Sequence, residues 1–173
     1  MGKKVISFSL DTDSITKAIR ELEQYKQEFQ KKVDNYRKRI AEEIAVNASL
    51  NFGSAVIDDR IRGGSRKPDV QVSVSDSGDI SVVVADGEDA IWCEFGAGVY
   101  HNGAAGSSPN PYGKELGFTI GNYGKGYGKR SAWGYYEDGE LIITRGTPAT
   151  MPMYNAAQEV TKKAIEIARE VFG

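Results

Sequence analysis

A stripe of apolar residues runs from Ile15 to Ala48 in steps of three and four: Ile15, Ile19, Leu22, Tyr25, Phe29, Val33, Tyr36, Ile40, Ile44 and Ala48. That spacing puts them on one face of a helix. No proline interrupts the pattern before Phe52-Gly53, and Asp13 or Ser14 is placed to cap its start. The expected helix has roughly 35 residues and a length of about 50 Å at 1.5 Å per residue. Lys17/Glu21, Glu28/Lys32 and Asp34/Lys38 add i,i+4 pairs on its other faces. Such a rod is longer than a small domain is wide. Two readings are open: a scaffold packed along one sheet, or a helix whose N-terminal half projects toward another subunit.

Residues 53–67, GSAVIDDRIRGGSRK, read as a mobile connection. After Pro68 the period changes to two. Val70, Val72 and Val74 alternate with Gln71 and Ser73. Asp76-Ser-Gly-Asp79 is a turn, and Ile80, Val82 and Val84 alternate again, with Val83 on the opposite face. This predicts a β-hairpin with one apolar face. Ala90–Phe95 reads as a third strand, and Glu140–Thr144 as a short fourth strand behind the Asp138-Gly139 turn. Residues 96–139 have no clear period, and more than half of the 20 glycines fall there. Pro152 opens a closing amphipathic helix with Met153, Ala157, Val160, Ala164, Ile167, Ala168 and Val171 on its apolar face. The expectation is a single α+β domain over residues 1–173. Both helices pack on an antiparallel sheet of about four strands, and residues 99–139 form a glycine- and aromatic-rich insert.

The net charge of −2 lacks the basic footprint of a dedicated nucleic-acid binder. The single cysteine, Cys93, permits no intramolecular disulfide, which favours a reducing compartment. The N-terminus MGKKVISFSL has too short an apolar run for a signal peptide. No segment approaches the roughly 20 apolar residues of a membrane span. The chain is expected in the cytoplasm, so the Asn47-Ala48-Ser49 sequon carries no meaning.

The catalytic inventory is thin. The one histidine, His101, sits in a polar stretch, and Cys93 lies beside Trp92 and Phe95, where a thiol acts as a small hydrophobe. Asp11-Thr-Asp13 starts like a calcium loop but continues with Ile15 where a ligand belongs. Asp58-Asp59 reads as a solvated acidic pair. No catalytic residue, metal site, cofactor or small-molecule substrate is expected.

Gly121–Tyr136, GNYGKGYGKRSAWGYY, looks built to hold something. A phosphate loop needs G-x-x-x-x-G-K-[ST]; here Gly128-Lys129 is followed by Arg130, and Tyr123 stands where the first glycine belongs. Dinucleotide spacing also fails, because its third glycine falls on Ser131. Aromatics interleaved with cations suit single-stranded nucleic acid, so a nucleic-acid-binding module is the alternative reading. The same composition suits an ordered protein contact. Tyr123, Lys125, Tyr127, Lys129, Arg130, Trp133, Tyr135 and Tyr136 are the candidate partner-contact residues. Gly121–Gly128 would be the pliable end and Trp133–Tyr136 the anchored end.

The C-terminal block Arg145–Val160, RGTPATMPMYNAAQEV, resembles the signature of the tail-completion, or head–tail joining, proteins of long non-contractile-tailed phages. Members carry a G-x-P-A segment and a following proline that lead from the last strand into the closing helix. They also carry an E-[FY]-G-[TA] segment, here Glu94-Phe95-Gly96-Ala97. Trp133-Gly-Tyr-Tyr136 followed by Asp138–Ile143 is similar to members from phages and prophages of Gram-positive bacteria. The resemblance marks Glu94, Phe95, Gly96, Gly146, Pro148, Ala149, Pro152 and Met153 as structural motif residues. It implies a non-enzymatic virion protein, assembled in the host cytoplasm into a ring, with a hexamer as the expected form. Connector and tail proteins would be its neighbours, and DNA would pass the lumen without specific recognition. Many members follow the first helix with P-x-x-T-G-x-L-R. This chain has Asn51–Ile57 and Asp58-Asp-Arg60 there instead.

Overall fold

The computed structural model describes residues 5–98, 108–113, 115, 116 and 132–173, with Trp133 described by its backbone alone. The element order is α1 (Thr12–Ser54), β1 (Gln71–Ser77), β2 (Ile80–Asp86), α2 (Glu88–Phe95), β3 (Trp133–Glu137), β4 (Glu140–Thr144) and α3 (Pro152–Phe172). The class is α+β, as the residue pattern predicts. The strands do not form one sheet of four: β1 pairs with β2, β3 pairs with β4, and the result is two antiparallel two-stranded sheets.

α1 has 43 residues, a rod of about 64 Å. Asp11 is its N-cap, not Asp13 or Ser14; the Asp11 side chain accepts from the Ser14 N–H. α3 runs antiparallel along the second half of α1. Asn51 Nδ2 donates to Pro152 O at 3.1 Å, Tyr36 Oη to Ala164 O at 3.2 Å and Lys32 Nζ to Phe172 O at 3.5 Å. Small residues on α1, Ala41 and Ala48, let Ala156, Val160 and Ile167 of α3 bury against it. Phe172 closes this seam against the rings of Phe29 and Tyr36, each at 5.9 Å. α1 continues for more than four turns beyond that point, with Ile15, Ile19 and Leu22 exposed and Ala18 buried. The expected Asp34/Lys38 pair is redistributed: Asp34 meets Arg37, and Lys38 reaches Asp76 of β1 at 3.1 Å.

The β1–β2 hairpin forms where the alternation places it, but its register overturns the expectation of one apolar face. Val72 pairs with Ala85 and Val74 with Val83, so these four share a face. Asp76 on the same face meets Arg37 and Lys38 of α1, which identifies that face as the inner one. Ile80, Val82 and Val84 pair with Ser77, Ser75 and Ser73 and point outward. The turn Ser77–Ile80 sets the register, and a period of two then sends all three to the other face.

Ala90–Phe95 belongs to α2, not to a third strand. A short apolar run is ambiguous by periodicity; here an acidic first turn, Glu88 and Asp89, favours the helix. The Asp89 carboxylate, nearly buried, accepts from Arg66 Nη1 and Nη2 at 2.6 and 2.8 Å and from the Asp69 N–H at 2.9 Å. Trp92, Ala90 and Cys93 then face a core of Phe52, Ala55, Ile57, Val70, Val72 and Met153. Residues 53–67, expected as a mobile connection, begin with the end of α1 and are then held by backbone pairing at several points. Ile57 and Arg66 form an isolated bridge, and the Asp59–Ile61 backbone runs beside β4 through Ile61 N to Ile143 O and Arg145 N to Asp59 O, both 2.9 Å.

Candidate functional site

The segments carrying Glu94–Ala97 and Gly146–Met153 meet in one joint. α3 starts at Pro152, whose missing N–H leaves no donor to satisfy. Its N-cap, Met151, is left-handed at φ 52° and gives no side-chain cap. Glu94 supplies the acceptor from the last turn of α2: Oε2 takes the Met153 N–H at 2.9 Å and Oε1 the Tyr154 N–H at 3.1 Å. The Thr150 and Met151 N–H groups both donate to Cys93 O. The free donors that every helix start presents are thereby satisfied by two successive residues of α2.

Two glycines make this approach possible. Gly96 ends α2 at φ 79°, and Gly146 sits at φ 101°. A Cβ on Gly146 would lie 2.2 Å from Ala97 O. The Ala97 and Thr147 backbones exchange two hydrogen bonds across this contact, at 2.8 and 3.2 Å. Pro148 and Ala149 then carry the chain to Pro152, and the Ala149 Cβ lies where a side chain on Gly96 would go, at 3.0 Å.

Part of the insert docks here. Asn110 is buried, and its Nδ2 donates to Glu94 Oε1 at 2.8 Å. Its Oδ1 accepts from Tyr112 N at 3.0 Å, and the Tyr112 ring meets Tyr154 edge-on at 6.2 Å. Sequence reading missed Asn110. The turn composition of Ser108-Pro-Asn-Pro-Tyr-Gly113 is the signal that could have marked it. Burial pushes the Glu94 carboxyl above its ordinary value, outweighing the bonds from Met153, Tyr154 and Asn110. Burial pushes the Cys93 thiol up to about 12, with Asp89 and Glu94 adding to the shift. The thiol is fully enclosed and protonated, so this sulfur is poorly suited to nucleophilic work.

A second cluster joins the 57–61 segment to the β3–β4 hairpin. Asp58, at φ 57°, holds Arg60 Nε at 2.7 Å and accepts the Tyr135 hydroxyl at 2.5 Å. Arg60 Nη2 reaches Tyr135 Oη at 3.0 Å and Glu137 at 2.8 Å. Burial raises the Asp58 carboxyl, but hydrogen bonds from Thr144, Tyr135 and Arg60 outweigh it and leave the group below the ordinary aspartate range. Asp58 is therefore not the solvated acid its loop composition suggests. Tyr135, half-buried, points its hydroxyl into this cluster. Tyr136 is 76% exposed and shares a face with Leu141 and Ile143. Trp133 pairs with Thr144 through β3. Tyr123, Lys125, Tyr127, Lys129, Arg130 and His101 lie outside the described residues.

Among the described residues, no group of three or more His, Cys, Asp or Glu is placed to hold a metal ion. No helix among them is long and apolar enough to cross a membrane. Comparison with family models, curated proteins and solved structures finds no match to the chain.

Proposed function

We propose that this chain is a structural virion protein of a phage or prophage, acting at the head–tail junction without catalysing a reaction. The observation that carries an assembly role is the placement of exposed apolar side chains. Ile15, Ile19 and Leu22 project on α1, Ile80, Val82 and Val84 lie on the outer face of one hairpin, and Tyr136 with Leu141 lies on the other. Contiguous apolar faces of this kind on a water-soluble surface mark places that partners cover. The resemblance supports the station: the two segments that carry it, distant in sequence, close a single joint around Glu94, Gly96, Gly146 and Met153.

In this reading the chain forms a ring, expected to be a hexamer. It contacts connector and tail proteins, and DNA passes the lumen without sequence recognition. Trp133 and Tyr136 belong to the contact surface, together with the insert residues Tyr123 to Arg130. Tyr135 fixes the β3–β4 hairpin from within. Deleting the gene should yield filled heads and separate tails that do not join. Normal virions after deletion would refute the reading.

A further inference from the structure

The β1–β2 hairpin is amphipathic on neither face in the ordinary sense, because both carry apolar residues. Its inner face already packs on α1. Its outer face carries Ile80, Val82 and Val84 in a row, 63%, 47% and 41% exposed, beside a row of Ser73, Ser75 and Ser77. Asp86 at one end is the sole charge on this face, which leaves a row of exposed apolar side chains of the kind that a partner covers. The face is built like the inner one, which takes a helix.

α1 presents a matching stripe where α3 has ended. Ile15, Ile19 and Leu22, at i, i+4 and i+7, are exposed by 38%, 51% and 56%. Ile15 to Leu22 covers about 10 Å of helix, and Ile80 to Val84 covers about 13 Å of strand. Lys26 continues the stripe one turn past Leu22, as Asp86 continues the row one step past Val84. Neither forms an ion pair among the described residues. The two surfaces cannot meet within one chain. Arg37 Nη1 holds the hairpin turn at Gly78 O, at 2.6 Å. Leu22 lies 15 residues further along the same unbroken helix, about 22 Å away. The outer face also points away from that helix.

We infer that the occupant of this face is a second copy of the chain. The N-terminal half of α1 in one copy lies on the outer face of the β1–β2 hairpin of the next, with Leu22 over Val84 and Lys26 near Asp86. The inference deepens the assembly reading and rests on it by naming the partner of that surface. The contact joins two different patches, so it is heterologous and can close a ring.

The test uses two single variants of the full chain, Leu22→Cys and Val84→Cys, at exposed positions. Each is first checked for unchanged thermal unfolding. Under mild oxidation at the highest soluble concentration, the mixture should give a covalent dimer, and a chain carrying both changes should give a ladder of covalent oligomers. Cys93 is fully enclosed and should contribute no link. In the mixture, Lys26→Glu on the Leu22→Cys chain should slow linkage by up to about fivefold, the range of an exposed ion pair, and Asp86→Lys on the Val84→Cys chain should restore it. Linkage of Leu22→Cys to itself as fast as in the mixture would overturn the inference in favour of helix–helix pairing. An unlinked mixture that sediments as a monomer would overturn it outright. If linkage fails while gene deletion still blocks joining, the contact is wrong and the assembly role stands. If linkage succeeds while deletion leaves normal virions, the head–tail role is wrong.

Discussion

Glu94 and Met153 are 59 residues apart in the chain, and the carboxylate of one accepts the backbone N–H of the other at 2.9 Å. That bond makes Glu94 the cap of a helix that has no cap of its own. It also ties α2, the Asn110 turn and α3 into one unit.

Replacing Glu94 with alanine should destabilise the fold by about 2 kcal/mol, the upper end for loss of a helix cap, because the Asn110 amide loses its acceptor as well. Urea unfolding of Glu94→Ala against the parent checks this, and an unchanged midpoint would remove Glu94 from the joint.

The pH dependence of Glu94 has a definite sign. Its folded value is raised by burial, so its contribution to stability is fully present below the ordinary glutamate value. That contribution is lost as pH rises through the higher folded value. The parent should therefore lose stability relative to Glu94→Gln as pH rises above the ordinary glutamate range. Parallel stability profiles for the two proteins would contradict the shift.

Asp89 titrates in the opposite sense. The hydrogen bonds from Arg66 lower its carboxyl against the opposing effect of burial. The stability it adds is present above the ordinary aspartate value and is lost as pH falls through the lower folded value. Asp89→Ala should cost about 2 kcal/mol at neutral pH, a figure typical of charged hydrogen bonds. It should also flatten the acid side of the stability curve. Acid titration of both proteins, followed by circular dichroism, measures the effect.

Gly146→Ala should be among the most damaging single changes. The φ of 101° strains any side chain by about 1–3 kcal/mol, and the new methyl meets Ala97 O. Gly139→Ala provides a comparison, since its φ is 83° but no atom lies within 4 Å. The Gly146 variant should unfold at a clearly lower temperature than the Gly139 variant. Equal melting temperatures would show that the backbone contact at Ala97 is not tight.

Tyr135→Phe removes the hydroxyl that joins Asp58 and Arg60 and should cost about 1 kcal/mol. Burial, the hydrogen bond to Asp58 and its negative charge raise the phenol above its ordinary value. Ultraviolet titration of the parent should contain a late-ionising component that the Phe variant lacks.

The sequence by itself determined the two long helices, the turn of the β1–β2 hairpin, the Asp138-Gly139 turn with the strand after it, the α+β class and the pairing of Pro152 with a helix start. Each of these rests on local rules: a period of 3.6 or 2, turn residues with tolerated positive φ, and proline where no donor is needed. It also marked Glu94 and Gly146 as special, through motif resemblance. β3, Trp133–Glu137, falls in the stretch that reads as an aperiodic insert and was not legible. The tertiary structure decided what those rules leave open. The period of Ala90–Phe95 does not choose between strand and helix; the acidic turn before it favours the helix, and Arg66, 23 residues upstream of Asp89, holds that turn in place. Val83 and Val82 are equally apolar, and only the turn register decided that Val83 faces α1 while Val82 faces outward. Asp58 reads as a loop acid until Arg60 and Tyr135, 77 residues downstream of Asp58, close on it. For Asp89 and Asp58 a deciding partner, Arg66 or Tyr135, is distant in sequence, and for the hairpin the packing surface is α1; a local pattern carries no information about which distant group will supply the missing charge, donor or surface.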